Sequence, residues 1–210
     1  VEQTLKITSA MYLISSANLR KAKSQLEEVL PYFHKIYETI ADILRRTPEL
    51  NHPYFDRRSQ IPPEERKIGY LAITGDKGLA GAYNHNVLQV VEEKLGLTGK
   101  PKLFVLGHMG QVYFAERGIS EAHTFAFSAQ NPTIANARTI SEYLVDQFRK
   151  GELDEVHLVY TELMNPLEME VREICLLPLV RQDFPWQKRP EDGGYRRQVT
   201  YEPSEDAVLN

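Results

Sequence analysis

The chain has one cysteine, Cys175, among its 210 residues. A lone thiol excludes an internal disulfide and suits a reducing compartment. No run of about 18 apolar residues occurs, so no apolar membrane-spanning helix is expected, and no signal-peptide pattern opens the chain. Neither sign of charge dominates. Lysine and arginine number 25 against 29 acidic residues, a net charge of −4, which gives no reason to expect a nucleic-acid partner. The dinucleotide fingerprint and the phosphate loop ending in Gly-Lys-Ser/Thr are both missing. The histidines His34, His52, His85, His108, His123 and His157 are scattered, with no metal-ligand spacing beside a carboxylate. No catalytic residue, metal ligand or cofactor is therefore assigned. Cys175 lies in the apolar pattern Glu173-Ile-Cys-Leu-Leu177 and reads as a buried packing residue rather than a nucleophile.

What is present is a chain 42% hydrophobic and 26% charged, as in ordinary globular proteins. Its length allows one good-sized domain, alone or with an appendage. Residues 2–46 contain no glycine and one proline, Pro31. Apolar residues fall at Ile7, Met11 and Ile14, and then at Ala22, Leu26, Val29, Phe33, Ile36, Ile40 and Ile43. From Ala22 onward the steps alternate between four and three, which is a heptad seam. Between Ile14 and Leu26 the steps are all four, through Asn18 and Ala22, a stutter that unwinds a supercoil locally. The pattern predicts a long helix. Proline removes a helical hydrogen bond and clashes with the turn before it. A bend near Val29 and Leu30 is expected, with a second helical piece starting at Pro31 in phase with the first. Residues 1–47 carry seven basic side chains against five acidic ones, a net of +2 that leaves −6 for the remainder. Lys6, Arg20, Lys21 and Lys23 lie in a stretch without an acid. That stripe reads either as a solvated face or as the surface of a helix enclosed by an acidic or polar partner.

A narrow apolar stripe needs a facing helix, because helices take most of their stability from packing. No second long heptad run follows in residues 47–210. The facing helix is then another copy, another chain, or sequence outside this one. The end of the chain, Glu202-Pro-Ser204 with acidic residues after it, reads as the start of another helix. The chain is accordingly expected to be a fragment, or a protein whose ends are not represented.

Residues 48–66 read as a linker, with Thr47-Pro48, His52-Pro53 and Ile61-Pro62-Pro63 and too few apolar residues to pack. Strands and helices then alternate. Strands are expected at 68–74, 102–106, 123–127, 155–163, 169–179 and 196–201, and helices at 84–96, 110–117 and 133–150. This alternation predicts an α/β domain with a mixed, mostly parallel sheet and flanking helices, attached to the long N-terminal coiled-coil helix. The expected divisions are a shaft helix over 1–47, the linker over 48–66, an α/β domain over 67–202 and the start of a further helix over 203–210.

The run Ile73-Thr-Gly-Asp-Lys-Gly-Leu-Ala-Gly-Ala-Tyr-Asn84 joins the first of these strands to a helix. Its glycines recur at three-residue spacing. They suit a tight corner needing positive φ. The other reading is a set of backbone N–H groups offered to an anion at a helix N-terminus. Asp76 and Lys77 read either as a surface ion pair or as contacts to a partner.

Several runs together resemble the gamma subunit of the rotary, proton-translocating F-type ATP synthase. Lys6-Ile-Thr-Ser-Ala-Met11 is similar to the family's Lys-Ile-Thr-Lys-Ala-Met run in its first helix. Ser15-Ser-Ala-Asn-Leu-Arg-Lys-Ala22 resembles the small-residue, Lys-Leu-Arg stretch that follows, and Leu30-Pro-Tyr-Phe-His-Lys-Ile36 the family's proline-tyrosine step. The run from Ile73 to Asn84 resembles its glycine-rich signature. Asn131-Pro-Thr133, Gly151-Glu-Leu-Asp-Glu-Val156, Leu158-Val-Tyr160 and Leu177-Pro-Leu179 also fall where the family has similar runs. The likeness covers nearly the whole chain and is specific in the order and spacing of the runs.

The resemblance implies a central-stalk rotor subunit without an active site. It would couple proton flow through the membrane ring of c subunits to conformational cycling of the alternating alpha and beta subunits. The first helix would pair, through Ala22, Leu26, Val29, Phe33, Ile36, Ile40 and Ile43, with a final antiparallel helix following Asn210. A short stretch would precede Val1. The α/β domain would stand outside the catalytic hexamer, near the ring and the epsilon subunit. Partner contacts are expected at Ile7, Met11, Ile14, Asn18 and Arg20 on the helix, with Met11 matching a methionine that faces a beta subunit. They are expected also at Asp76, Lys77, Gly78, Leu79 and Ala80 in the glycine corner. Ala80 stands where many members have cysteine, and Ser9, Tyr12 and Asn18 replace residues often basic in the family. No inserted cysteine pair is present, so the redox switch of chloroplast relatives is not expected. The place implied is peripheral, on the cytoplasmic face of a bacterial-type plasma membrane. The readings from other classes are a free-standing α/β phosphate-binding protein and a coiled-coil adaptor that dimerises through its own helix.

Overall fold

The computed structural model describes residues 2–97, 99–119, 122–165 and 168–185. The chain divides into two units, one holding the residues up to Leu50 with those from Arg181 onward, the other Asn51–Val180. The strand expected at 196–201 and the helix start expected at 203–210 lie outside the described residues.

The first unit is dominated by a single helix, α1, Glu2–Arg46, of 45 residues. At 1.5 Å per residue it is about 68 Å long. The absence of glycine lets it persist, since each interior glycine would weaken it by about 1 kcal/mol. Asp42 near its end accepts from Arg45 (2.8 Å) and Arg46 (2.6 Å), cations that also suit the negative end of the helix dipole. Pro31 lies inside the helix, and no second helical piece begins there. One missing hydrogen bond is outweighed by the unbroken turns on either side. Most of α1 is exposed, including the seam residues Leu26, Val29 and Phe33, whereas Ala41, Ile43 and Leu44 near its end are buried. Beyond the second unit, Phe184 packs on Tyr37 with ring centroids 4.8 Å apart, and the Arg181 guanidinium donates to the Leu50 carbonyl (2.5 Å).

The second unit is a five-stranded sheet. Its elements are β1 (Lys67–Ile73), α2 (Tyr83–Leu95), β2 (Lys100–Leu106), α3 (His108–Glu116), β3 (His123–Phe125), α4 (Ile134–Arg149), β4 (Glu155–Asn165) and β5 (Glu168–Leu177). The strand order is β3-β2-β1-β4-β5, parallel except for β5, which runs antiparallel to β4. This agrees with the mixed, mostly parallel sheet read from the alternation. Side chains of β1 and β2 alternate between two cores. Tyr70, Ala72, Leu103 and Val105 face Val87, Leu88 and Val91 of α2 and Phe114 of α3. Leu71 and Phe104 face Ile140, Leu144 and Phe148 of α4. Burial on both faces is why these strands are nearly continuous apolar runs.

The two strand-to-helix corners after β1 and β2 are fused. Thr74, fully buried, donates its hydroxyl to the Leu106 carbonyl (3.1 Å), and the Gly110 N–H donates to that hydroxyl (3.0 Å). Gly107 has φ +99°, and a Cβ there would lie 2.1 Å from the Thr74 carbonyl oxygen. Only glycine fits.

One expectation is corrected, and one segment carries more structure than its composition suggests. Most of residues 51–66 are exposed, but a few of their side chains are anchored. Tyr54 lies against the α4-side core, and His52 is buried. Arg58 donates to the carbonyls of Phe148 and Leu153 (2.6 Å to the latter) and pairs with Asp154 at 2.6 Å, while stacking over the Phe148 ring. A count of apolar residues does not register a half-buried cation satisfied by carbonyls. Cys175, read as buried, is exposed. It lies on β5, which is an edge strand with only Leu177 buried. A sheet edge has one neighbour and less cover.

Candidate functional site

The glycine corner leaves β1 at Thr74 and enters α2 at Tyr83. Gly75 donates its N–H to Asn84 Oδ1 (2.7 Å), and the Asn84 amide donates in turn to the Lys77 carbonyl (3.4 Å). A side chain at 75 would crowd Asn84 Oδ1 at 3.2 Å. Asp76 points the other way. It accepts from Ser128 Oγ (2.6 Å) and from the N–H groups of Gln130 (3.0 Å) and His108 (3.4 Å). Desolvation pushes the Asp76 carboxyl up, but the bonds from Ser128, Gln130, Ala129 and His108 outweigh it, and the net shift is downward. Asp76 is thus an anchor tying the corner to α3 and to the loop before α4. It does not form the surface pair with Lys77.

Anchored at both ends, the corner displays Lys77, Gly78, Leu79 and Ala80 to solvent. The left-handed backbone falls on Leu79 (φ 61°) and Gly81 (φ 57°), not on Gly75 or Gly78 as the spacing suggested. A left-handed leucine is strained by about 1–2 kcal/mol. Leu79 is 100% exposed, so no packing among the described residues repays that strain.

In doubly wound folds ligands sit beyond the carboxyl ends of the strands where the order reverses. Here that point lies between β1 and β4. It is closed by the chain's own groups. The Gly75 N–H is taken by Asn84, and Thr161 of β4 donates to the Tyr83 carbonyl (3.4 Å). This favours the corner reading over a phosphate cradle. Among the described residues no His, Cys, Asp or Glu cluster suits a metal, and no helix is long and apolar enough to cross a membrane.

The other expected contacts lie on α1. Ile7, Met11, Ile14, Asn18 and Arg20 are all exposed, the first four along one stripe and Arg20 off it. They belong to a different unit from the corner. Sequence reasoning missed Ser128, Gln130 and Asn84 as supports of the corner. Asn84 closes the glycine run and carries the one available signal, a side-chain amide able to mimic backbone.

A family profile described as ATP synthase matches residues 1–210. The ATP synthase gamma chain of Ruminiclostridium cellulolyticum is 38% identical over 211 residues, covering 100% of this chain and 71% of that one. The ATP synthase gamma chain of Acetivibrio thermocellus is 42% identical over 179 residues, covering 85% of this chain and 60% of that one. In fold, the chain resembles a subunit in the central stalk and c-ring of the Tetrahymena thermophila mitochondrial ATP synthase. The TM-score is 0.58 at 21% identity, over 82% of this chain and 72% of that one. By full-length profile match and by identity to bacterial relatives, the chain belongs to the ATP synthase gamma chain family.

Proposed function

We infer that this chain works as the central-stalk rotor subunit of an ATP synthase, a non-catalytic shaft within a membrane-associated complex. It couples proton flow through the membrane ring to conformational cycling of the catalytic subunits. The observation that carries this reading is α1. A 45-residue helix with an exposed apolar seam, in a chain matching the family throughout, is built to be enclosed and to resist bending. The strained, displayed Leu79 supports a second contact surface on the α/β unit.

The finer assignments are proposals of the same kind. The helix over 1–47 turns within the hexamer of alpha and beta subunits, contacting it through Ile7, Met11, Ile14, Asn18 and Arg20. Residues 67–202 form the foot, joined through 48–66, which meets the epsilon subunit and the ring of c subunits. The corner residues Lys77, Gly78, Leu79 and Ala80 make the outer contact, with Asp76 holding them in place. The seam from Ala22 to Ile43 faces an antiparallel helix begun at 203–210. The complex lies on the cytoplasmic face of a bacterial plasma membrane.

Reconstitution tests this. A complex assembled with the whole gamma chain should pump protons on ATP addition, and the same complex without it should not. The isolated chain should show no ATP hydrolysis and no micromolar ATP binding by calorimetry. ATP binding by the isolated chain that Lys77→Ala abolishes would overturn the reading in favour of a phosphate-binding protein. A stable dimer in sedimentation that Leu26→Asp dissociates would favour the adaptor.

A further inference from the structure

The apolar stripe of α4 is longer than the surface that covers it. Ile134, Ala137, Ile140, Leu144 and Phe148 follow one another in helical step. The last three are buried in the core they share with Leu71 of β1 and Phe104 of β2. Ile134 is 78% exposed, and Ala137 is exposed with it. The stripe is therefore covered over its later turns and bare over its first. That first turn is well formed. Thr133 caps it by accepting from the Asn136 N–H (3.1 Å), and the Ala137 N–H donates to the Thr133 carbonyl (3.0 Å).

α4 leads into β4, which runs parallel to β1, so the bare turn lies at the same end of the sheet as the glycine corner. The loop before α4 is bonded to that corner, where Asp76 accepts from Ser128 and Gln130. Leu79 stands three residues after Asp76, and Ile134 four after Gln130. Chain reach keeps each within about 14 Å of that bond. A single exposed apolar residue is ordinary. Here two large ones are tied together through one carboxylate. Their surroundings carry one sign of charge. Over 77–91 and 126–141 the lysine, arginine, aspartate and glutamate side chains are Lys77 and Arg138 alone. Both are exposed, and neither meets a carboxylate among the described residues. Arg138 follows Ile134 by four residues and so lies beside it on the helix.

On the reading of the corner as a rotor's outer contact, we propose that the first turn of α4 is the second half of that contact surface, and that one acidic protein face with an apolar centre covers both halves. Leu79 and Ile134 are its two apolar anchors. Lys77 and Arg138 answer its carboxylates, and no acidic residue of the two segments opposes it. A lipid surface fits less well, since binding to anionic membranes takes a cluster of about four to eight cations. The Asp76 bonds to Ser128 and Gln130 set the spacing of the anchors, so the two halves meet the partner as one surface.

Cross-linking in an assembled complex that contains the whole gamma chain tests this. Benzoylphenylalanine placed at 134 and, separately, at 79 should capture the same kind of subunit. Ile134→Asp should speed release of the gamma chain from the complex about tenfold or more, as loss of an interface anchor does. Arg138→Gln should flatten the salt dependence of that release. Both side chains are exposed, so the urea midpoint of the isolated chain should not fall in either variant. No capture at 134 and unchanged release for Ile134→Asp, beside fast release for Leu79→Asp, would overturn the proposal and leave the corner reading standing. Unchanged release in both variants would overturn the two together. Binding of the parent chain to phosphatidylglycerol vesicles that Ile134→Asp abolishes would overturn the proposal in favour of a lipid surface.

Discussion

Leu26 of α1 and Leu144 of α4 have the same side chain in the same kind of helix, yet Leu26 is 59% exposed and Leu144 only 3%. The difference lies in what each helix is given to pack on. α4 lies against a sheet made by the same chain, so its stripe of Ile140, Leu144 and Phe148 is satisfied internally. Among the described residues the seam of α1 has no such surface along most of its length. A regular apolar period therefore says that a face will be covered, not by what. In the α/β unit the answer is local. For α1 the proposed answer is a facing helix outside the described residues.

The comparison can be broken or sharpened by mutation. The largest effect should come from Arg58→Ala, which strands the buried Asp154 carboxylate. Breaking a buried pair typically costs about 3–5 kcal/mol, and urea unfolding of the α/β unit should show it. Leu144→Ala should destabilise the same transition by about 2–5 kcal/mol. Leu26→Ala in this chain should change stability by no more than about 0.5 kcal/mol. Equal losses at the two leucines would mean that the seam is already covered.

Hydrogen exchange reads the same contrast by region. Amides of residues 7–36 should exchange about a hundredfold or more faster than those of β1 and β2, because helices without packing open readily. In a whole gamma chain the α1 amides should slow, and Leu26→Asp should restore fast exchange. Protection of α1 that is the same with and without the downstream segment would remove the main support for a paired shaft.

A smaller effect is expected at Asp76. Its carboxyl is lowered in the folded chain, so its contribution is complete above the ordinary aspartate value of 3.8 and is lost as pH falls through the folded value. Asp76→Asn should flatten the dependence of the urea midpoint between pH 3 and 5, with little change at pH 7 beyond the weakened bonds to Ser128 and Gln130. An unaltered acid limb would mean that other carboxylates govern it.

Much of this was legible in the sequence. The strand–helix alternation and the apolar run ending at Ile73 placed the sheet and its corner. The seam from Ala22 to Ile43 marked the long helix. What was hidden depends on distant partners. Asp76 meets Ser128 and Gln130 only once β1 and the loop before α4 lie side by side. Arg58 reads as one more charge in a linker until the end of α4 is built beside it. Cys175 reads as core until the topology puts β5 at an edge. Pro31 signals a bend and a new helical start locally, but one helix runs through it from Glu2 to Arg46.

The close approach of the backbone at Gly107 to the Thr74 carbonyl, with the bonds of the Thr74 hydroxyl to Leu106 and Gly110, ties two loops into one body. The tip at Leu79 is thereby referenced to α3 as well as to β1 and α2. A load applied to that tip is shared by three elements of the sheet layer instead of bending one loop. Position 107 is therefore a point where adding one methyl group would soften the displayed tip without altering any residue of it.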